Sequence, residues 1–122
     1  EIAHKQLTEL VLVDTMHERK TKMNDLCDGV IALPGGFGTL DELSEMLTWG
    51  QLGLHKKPIA ILNVGGYYDA LIVFIQTMAD KGLLKEVNRE MLLVSDTIDD
   101  LLDKMENYIP PTVGKWIDKK DI

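Results

Sequence analysis

Four short apolar runs recur along the chain, each followed by a stretch with helical periodicity, and this alternation constrains the fold more than any other feature. The runs span residues 9–14, 29–33, 58–63 and 91–95. Within them Val30-Ile31-Ala32-Leu33 and Ile59-Ala60-Ile61-Leu62 are apolar without interruption. A strand wetted on one face alternates apolar and polar residues, so a continuous run fits a strand covered on both faces. The order β-α-β-α-β-α-β-α therefore predicts an α/β fold, a Rossmann-like, doubly wound parallel sheet flanked by helices.

The intervening helices are read from their apolar spacing. The first covers about 16–27, where Met16, Met23, Leu26 and Cys27 share a face and Arg19 lies next to it. The second covers about 40–54 and carries Leu40, Leu43, Met46, Leu47 and Trp49, with Gly50 and Gly53 leaving its end open. The third runs from about 67 to 81, with Gly82 as a stop signal. The last begins near Asp96 or Thr97 and finishes before Pro110-Pro111. A 122-residue chain with 45% hydrophobic residues fits one domain over 1–122, ending in a tail at about 110–122 without a functional signal.

A net charge of −7 argues against broad binding to nucleic acid or an anionic membrane, since both need a cationic face. No apolar stretch reaches the length that spans a bilayer, no signal peptide opens the chain, and Cys27 has no second cysteine to pair with. The expected compartment is the cytoplasm. The chain opens on Glu1 rather than methionine.

The densest local signal is Leu33-Pro34-Gly35-Gly36-Phe37-Gly38-Thr39-Leu40-Asp41-Glu42, between a predicted strand and a predicted helix. In this position a glycine-rich turn fits a phosphate cradle. Glycines can take positive φ and let the backbone approach an anion closely, while free N–H groups at the helix start point toward it. Thr39 can add a hydroxyl. No Gly-Lys-Ser/Thr closes the loop and the full Gly-x-Gly-x-x-Gly fingerprint is missing, so nucleoside triphosphate and NAD readings weaken. The alternative is a tight turn in which Thr39 and Glu42 form a capping box, which would put Glu42 in the first helical turn. The loop holds more glycine than a cap needs, however, and Asp41 and Glu42 would repel a phosphate unless cations lay nearby. Arg19 and Lys20 are candidates: if their strand neighbours that of the loop, both reach the same carboxyl edge of the sheet.

By itself, Met16-His17-Glu18-Arg19-Lys20 reads as a solvated charged helix face. A zinc-binding helix would need a second histidine at position 21, where threonine stands. His4, His17 and His55 are too scattered for a metal site and are read as ordinary surface or core residues.

Asp14-Thr15-Met16-His17-Glu18-Arg19-Lys20, followed by Pro34-Gly35-Gly36-Phe37-Gly38-Thr39-Leu40-Asp41-Glu42, resembles the paired signature of the Lonely Guy family. These are cytokinin riboside 5′-monophosphate phosphoribohydrolases, long mislabelled as lysine decarboxylases. Thr48-Trp49-Gly50-Gln51-Leu52-Gly53 and the stretches 55–58 and 63–68 extend the resemblance, which runs from Glu1 to about Tyr108. It implies that Arg19 and Lys20 bind the nucleotide together with Gly35, Gly36, Phe37, Gly38 and Thr39, the phosphate lying at the loop. Met16 and Asp41 fall in the same two signatures and join that set, Asp41 standing where glutamate is usual. Arg19 and Glu42 match the family's catalytic pair, while Glu1 and Thr48 match positions that also face substrate.

The implied reaction is hydrolysis of a nucleoside 5′-monophosphate, cytokinin riboside monophosphate or AMP, to free base and ribose 5-phosphate. No metal or organic cofactor is required. Glu42 would stabilise positive charge on the ribose and orient the attacking water, and Arg19 would orient Glu42 or assist the departing base. A homodimer is also implied, with Trp49 and Leu52 as candidate contacts or, alternatively, as core residues. Family members begin with a further βαβ portion carrying another glycine-rich loop. Nothing here matches it, so the expectation is that the sequence is truncated, leaving this chain alone inactive, or that another chain supplies that part. Competing readings are a nucleotide-binding protein similar to molybdenum-cofactor carriers and a non-catalytic assembly module. A decarboxylase would need pyridoxal phosphate, and no lysine stands out as its Schiff-base partner.

Overall fold

The structure, a computed structural model, describes residues 27–112. Three strands form one parallel sheet: β1 (Val30–Ala32), β2 (Ile59–Leu62) and β3 (Leu92–Ser95), in the order β1-β2-β3. The register sets Val30 against Ile59 and Ala32 against Ile61, then Ile59 against Leu92 and Leu62 against Ser95. This agrees with the α/β reading of the apolar runs. The run at 9–14 and the helix placed at about 16–27 lie outside the described residues, apart from Cys27.

β2 is the central strand, and Ile59, Ala60 and Ile61 are buried because both its faces are covered. Burying an isoleucine side chain stabilises by about 1.5–3 kcal/mol, so Ile59 and Ile61 carry most of this gain. Ile59 and Ile61 meet Ala32, Leu43, Met46, Tyr68 and Met91 in one core, against which Leu47, Trp49, Leu71 and Ile72 pack from the flanking helices. Trp49 is thus a core-packing residue, the alternative to its reading as a subunit contact. Leu101 is fully buried on a further helix that touches β2 and β3.

Four helices follow: α1 (Phe37–Gln51), α2 (Asp69–Asp80), α3 (Glu86–Arg89) and α4 (Ile98–Glu106). α1 begins three residues before the expected Leu40, and its first ladder bond runs from Leu40 N to Gly36 O at 3.1 Å. Its end is set by Gly53, where φ is 77°, with Gly53 N donating to Gly50 O and Leu54 N to Trp49 O. That is a Schellman termination, which needs the left-handed backbone that glycine takes without strain. Gly82 ends α2 in the same way, with φ of 75°, as the sequence predicts. α2 starts at Asp69, two residues later than expected, because a 3₁₀ turn at Val64–Gly66 occupies the preceding chain. Neither that turn nor the four-residue α3 has enough apolar periodicity to be read in advance. Among the described residues no helix is long and apolar enough to cross a membrane.

His55 closes the connection from α1 to β2. Its Nδ1 accepts from Lys57 N at 3.0 Å, so its Nε2 carries the proton and donates to Met46 O at 2.8 Å. Gly50 makes room for the imidazole: a Cβ there would stand 3.2 Å from His55 Cε1 and 2.6 Å from Met91 Cε. The ordinary structural reading of His55 holds. Replacing His55 with alanine removes both bonds and should lower stability by about 1–3 kcal/mol in urea denaturation, at roughly 0.5–1.5 kcal/mol per hydrogen bond.

Candidate functional site

The turn from β1 into α1 leaves the carboxyl end of the sheet, the edge at which open α/β sheets bind ligands. It brings Gly35, Gly36, Phe37, Gly38 and Thr39 together at the start of α1, with Gly36 as the N-cap residue. Among the described residues no side chain caps this helix and no acidic residue stands in its first turn. The first-turn N–H groups of Phe37, Gly38 and Thr39 have no intrahelical acceptor, and the helix dipole adds partial positive charge there. α2 and α3 also lack a side-chain cap bond, but the other helices carry acidic residues in the first turn. Asp69 and Glu86 stand in the first turns of α2 and α3, and α4 has Asp99 and Asp100 plus a Thr97 hydroxyl accepting from Asp100 N.

This arrangement corrects the capping-box alternative. Thr39 is the third residue of α1 rather than its cap, and Glu42 lies in the second turn, not the first. It also corrects the expectation of positive φ in the loop: the described glycines with positive φ are Gly53, Gly65, Gly66 and Gly82, and none is in the loop. The three loop glycines answer different demands. At Gly35 a Cβ would collide with Thr39 Oγ1, because the threonine side chain lies over the Gly35 Cα. At Gly36 and Gly38 an added Cβ meets nothing within 4 Å, so packing among the described residues does not require glycine at either. Phe37 between them is 90% exposed.

Two side chains that sequence reasoning gave no role hold this turn from the neighbouring strand's connection. Tyr67 donates its hydroxyl to Gly35 O at 2.6 Å, and Tyr68 donates to Leu33 O at 2.6 Å. Their rings meet edge to face, with centroids 4.9 Å apart. Both follow Gly65 and Gly66, whose φ values of 58° and 73° turn the chain sharply after β2. Asn63 fixes that turn, accepting from Tyr68 N at 2.7 Å and donating to Asp69 Oδ1 at 2.8 Å. Burial pushes the Tyr68 phenol above its ordinary range, the nearby Tyr67 phenol adds to this, and a backbone contact at Gly35 opposes it. Tyr68 therefore remains a donor at neutral pH. Its stabilising contribution is complete below the ordinary phenol pKa and is lost as pH rises through the raised one. The stretch 63–68 entered the sequence reading only as part of the resemblance. Its one legible signal was two glycines before two aromatic residues.

The remaining candidates are dispersed. Asp41 and Glu42 are exposed on the second turn of α1. Glu42 follows Gly38 by one turn and shares its face of the helix. Thr48 lies nine residues beyond Thr39 in the same helix, roughly 13 Å along its axis, and its hydroxyl donates to Ser44 O at 2.8 Å. Glu1, Met16, Arg19 and Lys20 lie outside the described residues.

A family model described as "Possible lysine decarboxylase" matches residues 1–105. The chain is 43% identical over 110 residues to a cytokinin riboside 5′-monophosphate phosphoribohydrolase of Arabidopsis thaliana, covering 90% of this chain and 52% of that protein. It is 44% identical over 110 residues to another protein of that name from Oryza sativa subsp. japonica, covering 90% of this chain and 46% of that one. The chain belongs to the Lonely Guy family. It spans about half the length of the curated relatives it matches. The turn that the resemblance singled out in this Lonely Guy chain opens the one described α-helix with no acidic residue in its first turn.

The two kinds of glycine in the turn are separable by experiment. Gly38 sits inside a helix with open space where a Cβ would go, so Gly38→Ala should raise stability by about 0.5–1 kcal/mol. Gly35→Ala should lower stability, because Thr39 must move. Paired urea melts of the two variants check the opposite signs.

Proposed function

We propose that the intact protein hydrolyses the N-glycosidic bond of a nucleoside 5′-monophosphate, releasing free base and ribose 5-phosphate. The observation that carries this reading is the uncapped, glycine-lined start of α1 at the carboxyl edge of the sheet, in a chain of this family. Several relatives are named for this reaction on cytokinin riboside 5′-monophosphates, which supports an N⁶-modified adenosine monophosphate or AMP as substrate. The phosphate is assigned to Gly35, Gly36, Phe37, Gly38 and Thr39, where the helix dipole and backbone N–H groups favour a dianion. Arg19 and Lys20 are assigned to balance the carboxylates of Asp41 and Glu42. Met16, Glu1 and Thr48 complete the proposed substrate set.

In the reaction, water oxygen bonds to C1′ while the C1′–N bond breaks, its electron pair leaving with the base, which takes up a proton. Positive charge develops on the ribose as this bond lengthens. A carboxylate beside the sugar stabilises that charge more in the transition state than in the ground state, and this is the role assigned to Glu42. Arg19 orients Glu42 or assists the departing base. We further assign the protein to the cytoplasm and to a homodimer.

The loop assignment is tested at Gly36, where φ is −108° and, among the described residues, nothing lies within 4 Å of an added Cβ. Gly36→Leu should leave the melting temperature unchanged and abolish AMP binding in calorimetry. Unchanged affinity would remove the phosphate from this turn.

The chemistry is tested at Glu42. The carboxylate has no place in a capping box, so Glu42→Gln removes its charge at small cost to the helix. Its kcat should fall about 10²–10³-fold, the scale on which a preorganised electrostatic group acts. Arg19→Ala should act similarly, with the double variant scarcely worse than either single one. Near-normal release of free base by Glu42→Gln would overturn the catalytic assignment.

A further inference from the structure

We infer that Tyr67 is a positioning residue for phosphate: its hydroxyl, by holding the Gly35 carbonyl, aims the following Gly36 N–H at the proposed anion site. The inference rests on the proposed nucleotide reading and adds to it a residue outside the two signature segments.

The geometry begins with the peptide unit between Gly35 and Gly36. It is planar and trans, so its C=O and N–H point in opposite directions and turn as one body. The dihedrals on either side belong to two glycines, which restrict rotation least of all residues. Left to itself, this unit would sample many orientations, and the Gly36 N–H with it. Thr39 packs over the Gly35 Cα. Tyr68 also makes a backbone contact at Gly35, but among the described residues the hydrogen bond to the Gly35 carbonyl comes from the Tyr67 hydroxyl at 2.6 Å, and it selects one orientation of the peptide. Holding the carbonyl on the Tyr67 side sends the Gly36 N–H to the other side.

Tyr67 and Tyr68 divide the work by burial. Tyr68 is 7% exposed and belongs to the core, and the carbonyl it holds, Leu33 O, precedes a proline and so has no N–H opposite it to aim. Tyr67 is 56% exposed. Water can replace its hydroxyl at the Gly35 carbonyl, so the bond adds little to folding, while it still fixes the direction of the amide on the other side. Preorganised donors bind more tightly because their ordering has taken place before the ligand arrives. The effect reaches ground state and transition state alike, since the phosphate is not the reacting group, and uniform binding of that kind alters KM and leaves kcat unchanged.

The test is Tyr67→Phe in the intact protein, which removes the hydroxyl and keeps the ring against Tyr68. KM for AMP should rise about tenfold, inhibition by inorganic phosphate should weaken by the same factor, and kcat should stay within twofold. Binding of adenosine, which has no phosphate, and the melting temperature should not change. Tyr68→Phe, in contrast, should lower the melting temperature. A Tyr67→Phe variant with unchanged KM and unchanged phosphate inhibition overturns this role while leaving the site reading intact. A fall in kcat or in melting temperature with KM unchanged also overturns it, in favour of a structural role. Wild-type protein that neither turns over AMP nor responds to phosphate overturns the site reading and this inference together.

Discussion

A strand-to-helix turn made of a proline and two glycines cannot hold its own shape, and the candidate site depends on what holds it from outside. Leu33 O precedes a residue without an N–H, and Gly35 O belongs to a peptide flanked by free dihedrals. Both carbonyls are taken by phenols that lie more than thirty residues further along the chain. The two tyrosines can reach them only because β1 and β2 are adjacent and parallel, which delivers both connections to one edge of the sheet. Parallel pairing is in turn a consequence of the uninterrupted apolar runs, which need cover on both faces and receive it from helices. The chain of cause runs from Ile59-Ala60-Ile61 to the sheet, from the sheet to the two neighbouring turns, and from the second turn to the first.

The strands were legible because a fully buried strand has a compositional signature that survives without context. The described runs at 29–33, 58–63 and 91–95 all contain strands with bounds one residue in from each end or less. Helix ends were legible where glycine sets them, as at Gly82. The start of α1 was not, because the search for a start looks for a side-chain cap and finds Thr39, whereas the backbone begins its helix at Phe37 without one. The same habit put Glu42 a turn too early. A helix that begins without a cap leaves no cap in its sequence.

Of the candidate site, the loop was visible and its support was not. Glycines at 35, 36 and 38 announce an unusual turn and leave positive φ open to each of them. In the structure that conformation belongs to Gly65 and Gly66, in the turn that presents the tyrosines. A hydrogen bond between residues 35 and 67 has no periodicity and no fixed spacing, so no local pattern in the sequence encodes it. Asn63 is similar: its amide ties Tyr68 N to Asp69, a function that becomes meaningful only once the 3₁₀ turn exists.

The contrast among helix starts bears on why the turn stays as it is. α4 shows that this chain can cap a helix with its own side chains, by a threonine hydroxyl and two acidic residues in the first turn. At α1 the corresponding positions are Gly36, Phe37, Gly38 and Thr39, and the acidic pair is displaced to Asp41 and Glu42 in the second turn. Carboxylates in the first turn would compete with an anion for the same N–H groups and for the positive end of the dipole. Moved one turn further, Glu42 still shares the helix face of Gly38. Among the described residues nothing packs where a Cβ of Gly38 would stand, α1 shares with α2 and α3 the lack of a side-chain cap, and its carboxylates begin one turn further in. Together, among the described residues, they leave the first turn of α1 without an acidic side chain and set a carboxylate one turn above Gly38.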